Sequence, residues 1–186
     1  MRKLFEYGGY IAGVILVAFG IGALTMSVNA RNEVRSNLAA EKIVGTPDST
    51  IPGLAVNSGS RARAFAKVMR KHALEASKGQ TYSQMGQYLD SSGKATSDLT
   101  KAAVDPTTKQ PVTNTARNVW VTETALSTAL NVSYMAEQLS LFGIIVGVAL
   151  LLSGIGFIVL AAVGRLHKDT AHTGMVRDES RSTVTA

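Results

Sequence analysis

The chain of 186 residues contains no cysteine. Disulfides, thiolate metal sites and cysteine nucleophiles are therefore excluded together. Proline is scarce, with four residues, and aromatic residues make up 6%. The most informative scarcity is that of charge, and it is local. Residues 7–30 and 138–164 carry no Asp, Glu, Lys, Arg or His, although the whole chain holds 19 Lys and Arg and 13 Asp and Glu. A soluble domain spreads its charges, because each surface helix needs a wet face. Two long charge-free blocks point to lipid instead. The missing intramembrane ionisable group also argues against a pump or proton-coupled transporter, which ordinarily needs one.

Both blocks have membrane-spanning length. Residues 7–28 form the first expected transmembrane helix, with about 30 Å between Gly8 and Val28 at ~1.5 Å per residue. Residues 139–163 form the second, slightly longer and tolerant of tilt. Tyr7 and Tyr10 stand where an interfacial aromatic belt is expected. Arg2 and Lys3 precede the first span, and Arg165 and Lys168 follow the second. The segment between them is long enough to cross regardless of its own charge. The expectation is a multi-pass protein with both termini cytoplasmic, residues 1–6 and 164–186, the second being a disordered tail. Residues 29–138 then form an extracytoplasmic helical domain. A cleaved signal peptide ending near Val28-Asn29-Ala30 is the rival for the first span. Its apolar run of about 21 residues exceeds the ~7–15 usual for such peptides.

The spans are glycine-rich and resemble each other. Gly9, Gly13, Gly20 and Gly22 align with Gly143, Gly147, Gly154 and Gly156. Glycine four residues apart lets helix backbones approach closely where lipid removes the hydrophobic drive. From sequence, a pair within one chain and a seam between chains look alike. An inverted internal repeat and the ordinary residue usage of membrane helices both account for the alignment.

In the intervening domain, the first helix is expected to extend over residues 32–43. It should stop at Gly45-Thr-Pro-Asp-Ser, where proline cannot continue it. Residues 61–78 form an amphipathic helix, with Phe65, Val68, Met69, His72 and Ala76 on one face. Arg63, Lys67, Arg70 and Lys71 share the opposite one. That basic strip is either a docking surface for anionic lipid or an envelope polymer, or simply a solvated face. His72 is expected to be partly buried. Residues 80–113 are rich in turn-forming residues and are expected as a mobile surface loop, with Tyr82, Met85, Tyr88 and Leu89 as a short helical anchor.

From residue 116 the helical pattern resumes and no breaker precedes the second span. One continuous helix over 116–163, about 70 Å long, is expected. Its apolar arc comprises Val119, Val121, Ala125, Leu126, Ala129, Leu130, Val132 and Ala136. Glu123, Thr124, Ser127, Asn131 and Gln138 are placed on the other side. The breadth of the arc suggests a second chain. Trp120, beside the polar arc, is either an exposed partner contact or packs on residues 80–113.

Several stretches resemble a family of uncharacterised two-span membrane proteins of actinobacteria. They are Asn29-Ala-Arg-Asn-Glu-Val, Glu41-Lys-Ile-Val-Gly-Thr-Pro-Asp, Gly59-Ser-Arg-Ala-Arg, His72-Ala-Leu-Glu-Ala, Ala116-Arg-Asn-Val-Trp-Val-Thr-Glu-Thr-Ala-Leu and Tyr134-Met-Ala-Glu-Gln. The resemblance covers most of the chain up to residue 163. It implies a bacterial plasma-membrane protein without known chemistry. Relatives place a cysteine where this chain has Ala64, so any disulfide there is missing here. Some members carry a label as aromatic ring-opening dioxygenases. Such iron enzymes need two His and a carboxylate on one metal. The three histidines here are His72, expected outside, and His167 and His172, expected in the cytoplasm. One subunit cannot assemble that site across a bilayer.

Phosphate loops, nucleophile elbows and His-Glu-x-x-His motifs are missing as well. The net charge of +6 and pI near 9.7 do not indicate nucleic acid, since the basic residues are scattered. The sequence thus leads to an all-α membrane protein with no cofactor, metal or catalytic residue. Its expected role is that of an accessory, assembly or interaction subunit in the cell envelope, as a homo-oligomer or within a larger complex. The alternatives are a binding module for anionic lipid or polymer and an oligomeric channel or exporter.

Overall fold

The structure, a computed structural model, describes the backbone of residues 2–182 and the side chains of residues 7–164. It is mostly helical. Helix α1 is Arg2–Ala40, α2 is Gly59–Ala76 and α3 is Thr115–Ser182. A two-stranded antiparallel sheet, β1 (Tyr88–Leu89) and β2 (Ala95–Thr96), is the only named sheet among the described residues. Two compact units result. One combines the first thirty residues with those from Leu139 onward, and the other is Arg31–Gln138.

In the first unit α1 and α3 pair antiparallel through small residues. A Cβ on Gly13 would lie 2.8 Å from the Gly154 carbonyl oxygen, and one on Gly20 would lie 2.9 Å from that of Gly147. Gly9 faces Ala161, and Gly143 faces Ser27. The close contacts thus recur every seven residues on each helix, the spacing of a left-handed pair. The four-residue motif read from the sequence is only part of this pattern. Outside the seam the surface is apolar and uncovered. Phe19 is 68% exposed and Leu160 71%. Both helices are long and apolar enough to cross a membrane, and only 11% of each apolar window is buried.

In the second unit α1 ends at Ala40, just before Lys42 adopts a positive φ of 51° and the Gly45-Thr-Pro turn follows. The core joins Leu38 of α1 to Ala62, Phe65, Ala66 and Val68 of α2, Leu130 of α3 and Val56 of the connecting loop. A second cluster gathers Ala73, Met85 and Trp120.

Residues 80–113, expected as loop, hold more structure than that. The stretch read as one helical anchor divides into a 3-10 turn at Tyr82–Gln84, a buried Met85 and strand β1. Isolated bridges join Tyr88 to Thr113, Asp90 to Ala102 and Val104 to Pro111. Three aspartates shape the turns. Asp90 accepts from the Ser92 and Lys94 amides, Asp98 from Thr100, and Asp105 from Thr107 and Thr108. Hydrogen bonds of this kind, led at Asp90 and Asp98 by the Ser92 and Thr100 hydroxyls and at Asp105 by the Thr108 amide, hold all three carboxyls below their ordinary range.

Helix α3 starts at an Asn114 cap, whose Oδ1 accepts from the Ala116 amide at 3.1 Å. It then runs unbroken to Ser182, so the tail expected to be disordered is helical that far. The last proline of the chain is Pro111. Extending an existing helix also avoids the cost of nucleation.

Candidate binding groove

The three helices of the second unit meet at Glu137. Its carboxylate, 6% exposed, accepts from Arg31 at 3.1 Å and Arg35 at 2.7 Å, both on α1. Its other oxygen accepts from the amide of Gly59, the first residue of α2. Ser58 precedes that helix but makes no side-chain cap, so α3 supplies the missing acceptor. Gly59 is required here, since a Cβ would lie 2.8 Å from the Tyr134 Cα. Burial alone would raise the Glu137 pKa. The Gly59 amide and the two guanidinium groups outweigh it and hold the carboxyl below its ordinary value.

The basic strip of α2 divides in the structure. Lys71 belongs to a different cluster, pairing with Asp48 at 2.9 Å, while His72 meets the same Asp48 oxygen at 2.9 Å. The Lys71 ammonium, then the Thr46 hydroxyl and His72, hold Asp48 well below the usual carboxylate range, and Asp48 in turn raises Lys71. His72 is partly buried, as expected, with its ring on Asp48.

Arg63, Lys67 and Arg70 instead line a groove of about 400 Å³ between α2 and α3. Glu123, Thr124, Ser127, Thr128 and Asn131 form its other wall. The Arg63 guanidinium stacks on Tyr134 at 4.7 Å, and that of Arg70 on Trp120 at 5.0 Å. Stacking uses the guanidinium face and leaves its N–H edge available. Among the described residues, none of the three cations pairs with a carboxylate.

The helical period sets Glu123 opposite the apolar arc, yet it is 3% exposed. Ser127 Oγ donates to its Oε1 at 2.6 Å, while Oε2 is buried without a hydrogen-bond partner. An unsatisfied buried acceptor costs about 1–3 kcal/mol. Glu123 also lines a second cavity, of about 420 Å³, beside Met69, His72 and Val119. That one offers His72 as its only basic side chain.

Trp120 is 3% exposed, and its Nε1 donates to the Gln80 carbonyl at 2.9 Å. It packs with Ala73 and Met85 and is no exposed contact. The inward line of α3 is therefore Trp120, Glu123, Leu130 and Glu137. Val121, Val132 and Met135, 54%, 57% and 66% exposed, face outward. Of the glycines expected to pack, Gly22 and Gly156 have nothing within 4 Å of a Cβ. Their α-carbons fall outside the seven-residue seam. No group of three or more metal-ligating side chains occurs among the described residues. His167 and His172 lie outside the described side chains.

Comparison with protein-family models, with curated proteins and with solved structures finds no match to the chain.

Proposed function

We propose that this chain is a two-span integral protein of the bacterial plasma membrane. Both termini are cytoplasmic, and the Arg31–Gln138 unit stands outside as a non-catalytic accessory or assembly subunit. The apolar, uncovered surfaces of α1 and α3 support membrane insertion. Exposing one such leucine or phenylalanine to water instead of an apolar phase costs about 1.5–3 kcal/mol. The resemblance to two-span actinobacterial proteins supports the same placement.

The observation that carries the interaction role is the outward stripe of α3 in the second unit. Val121, Val132 and Met135 share one side of the helix, within about 60° of each other at 100° per residue, and all are exposed. An exposed apolar stripe of this kind supports a surface that another chain covers. Tagged protein purified from native membranes in mild detergent is expected to retain a stoichiometric partner or a second copy. Met135→Glu with Val132→Glu is expected to lose it while the helices stay folded. Retention of the same assembly by the double variant, or a monomer in both cases, would refute the role.

A further inference from the structure

We propose that the groove between α2 and α3 is a binding site for a phosphorylated sugar or polyol, with the phosphate on Lys67 and one of the flanking arginines, Arg63 or Arg70, and a hydroxyl on Glu123. The groove holds three cations and one carboxylate, which leaves two positive charges. A phosphate monoester carries up to two negative ones. Seven residues separate Arg63 from Arg70, about 10 Å along the helix. Their guanidinium groups stack toward Tyr134 and Trp120, so the two lie at opposite ends of the groove with Lys67 between them.

Glu123 decides what the ligand carries besides phosphate. A bare anion facing three cations gains nothing from a buried carboxylate nearby and is repelled by it. A ligand with an O–H donor satisfies the acceptor that the protein leaves unpaired at Oε2. The remaining wall is built from Thr124, Thr128 and Asn131. These side chains both donate and accept, as polyhydroxyl compounds require. The cavity of about 400 Å³ admits a ligand of that size. The second cavity at Glu123 lacks the cations and would not hold the phosphate.

A phosphatidylglycerol headgroup shares the pairing of phosphate with polyol hydroxyls, although its phosphodiester carries one negative charge where a sugar phosphate carries up to two. The test uses full-length protein in detergent micelles, titrated calorimetrically with glucose 6-phosphate, inorganic phosphate and glucose. A parallel arm uses nanodiscs with and without phosphatidylglycerol. Glucose 6-phosphate is expected to bind more tightly than inorganic phosphate, and glucose not to bind. If only the phosphatidylglycerol arm binds, the chemistry holds and the source is lipid. Lys67→Gln, at an exposed position, is expected to weaken binding about tenfold, the loss of one charge-assisted hydrogen bond. Lys71→Gln should leave it unchanged. Glu123→Gln is expected to weaken glucose 6-phosphate while leaving inorganic phosphate as tight or tighter. Equal affinity for the two phosphates, an equal effect of Lys71→Gln, or no binding in either arm would overturn the proposal. These results are separable from the accessory role, which is read out by the Val132 and Met135 variants alone.

Discussion

Replacing Glu137 tests how the second unit is held together. The carboxylate is nearly buried and serves Arg31, Arg35 and the Gly59 amide at once. Breaking a fully buried ion pair by removing one partner costs about 3–5 kcal/mol. Here the arginine side chains are 31% and 44% exposed, so water recovers part of their hydration once they are freed. A discounted cost of about 2 kcal/mol follows for Glu137→Gln, which keeps a neutral acceptor for Gly59. Glu137→Ala also removes that acceptor and is expected to cost about 3 kcal/mol. The assay is amide hydrogen exchange over the first turn of α2, with α3 amides beyond residue 140 as internal reference. A 2 kcal/mol loss corresponds to roughly thirtyfold faster exchange where local opening governs it. The pH dependence has a defined sign. The Glu137 pKa is lowered in the folded state from a reference of 4.5. Its contribution is therefore present above that reference and disappears as pH falls through the lower folded value. Wild-type protection should decline in that acid window, and that of Glu137→Gln should not. Less than threefold faster exchange in Glu137→Ala, or the same acid dependence in both proteins, would refute the reasoning.

The glycine seam makes two further predictions, one on packing and one on topology. Gly13→Ala pushes a Cβ to 2.8 Å from a backbone oxygen, whereas Gly22→Ala meets open space. The first should cost about 1–3 kcal/mol of pairing and the second nothing. Oxidative cross-linking of Ser27→Cys with Gly143→Cys reads this out. The two Cβ positions lie 3.2 Å apart, a few tenths of an ångström closer than the ~3.5–4.5 Å of disulfides, and Gly13→Ala should lower the yield while Gly22→Ala should not. Because the chain has no native cysteine, topology is measurable by single replacements. Thr107→Cys is expected to react with an impermeant maleimide in intact cells, and Ser182→Cys only after lysis.

The helical elements were legible because each obeys a local rule. The charge-free blocks, the amphipathic run through Phe65 and Val68, and the proline stop after Gly45 are all properties of contiguous residues. The groove was legible only in part. Periodicity placed Arg63, Lys67 and Arg70 on one face, but it placed Lys71 there too. Only the fold of residues 46–51 brings Asp48 across to claim it. Glu123 is misplaced for a related reason, while Trp120, open between exposure and packing on residues 80–113, takes the second place. An apolar arc drawn on α3 favours burying valines, yet α2 packs on the line through Trp120, Glu123 and Leu130. The burial of Glu123 is tolerated through Ser127. Glu137 carried no local signal, since an acidic residue next to an apolar run reads as a boundary charge. Residues 80–113 looked unstructured because their order rests on aspartate-centred turns and isolated bridges, which leave no hydrophobic period.

The Glu137 junction also has a consequence in time. Its partners Arg31 and Arg35 stand 106 and 102 residues earlier in the chain, and Gly59 stands 78 earlier. At roughly 5–20 residues per second of synthesis, both arginines wait about 5–20 s for their carboxylate. During that interval α1 and α2 have emerged without the group that joins them. The core around Phe65 is incomplete too, since Leu130 follows just as late. Ribosome-bound chains that end before Glu137 should therefore be protease-sensitive between α1 and α2, and completion of a single late turn of α3 should close both helices onto it together.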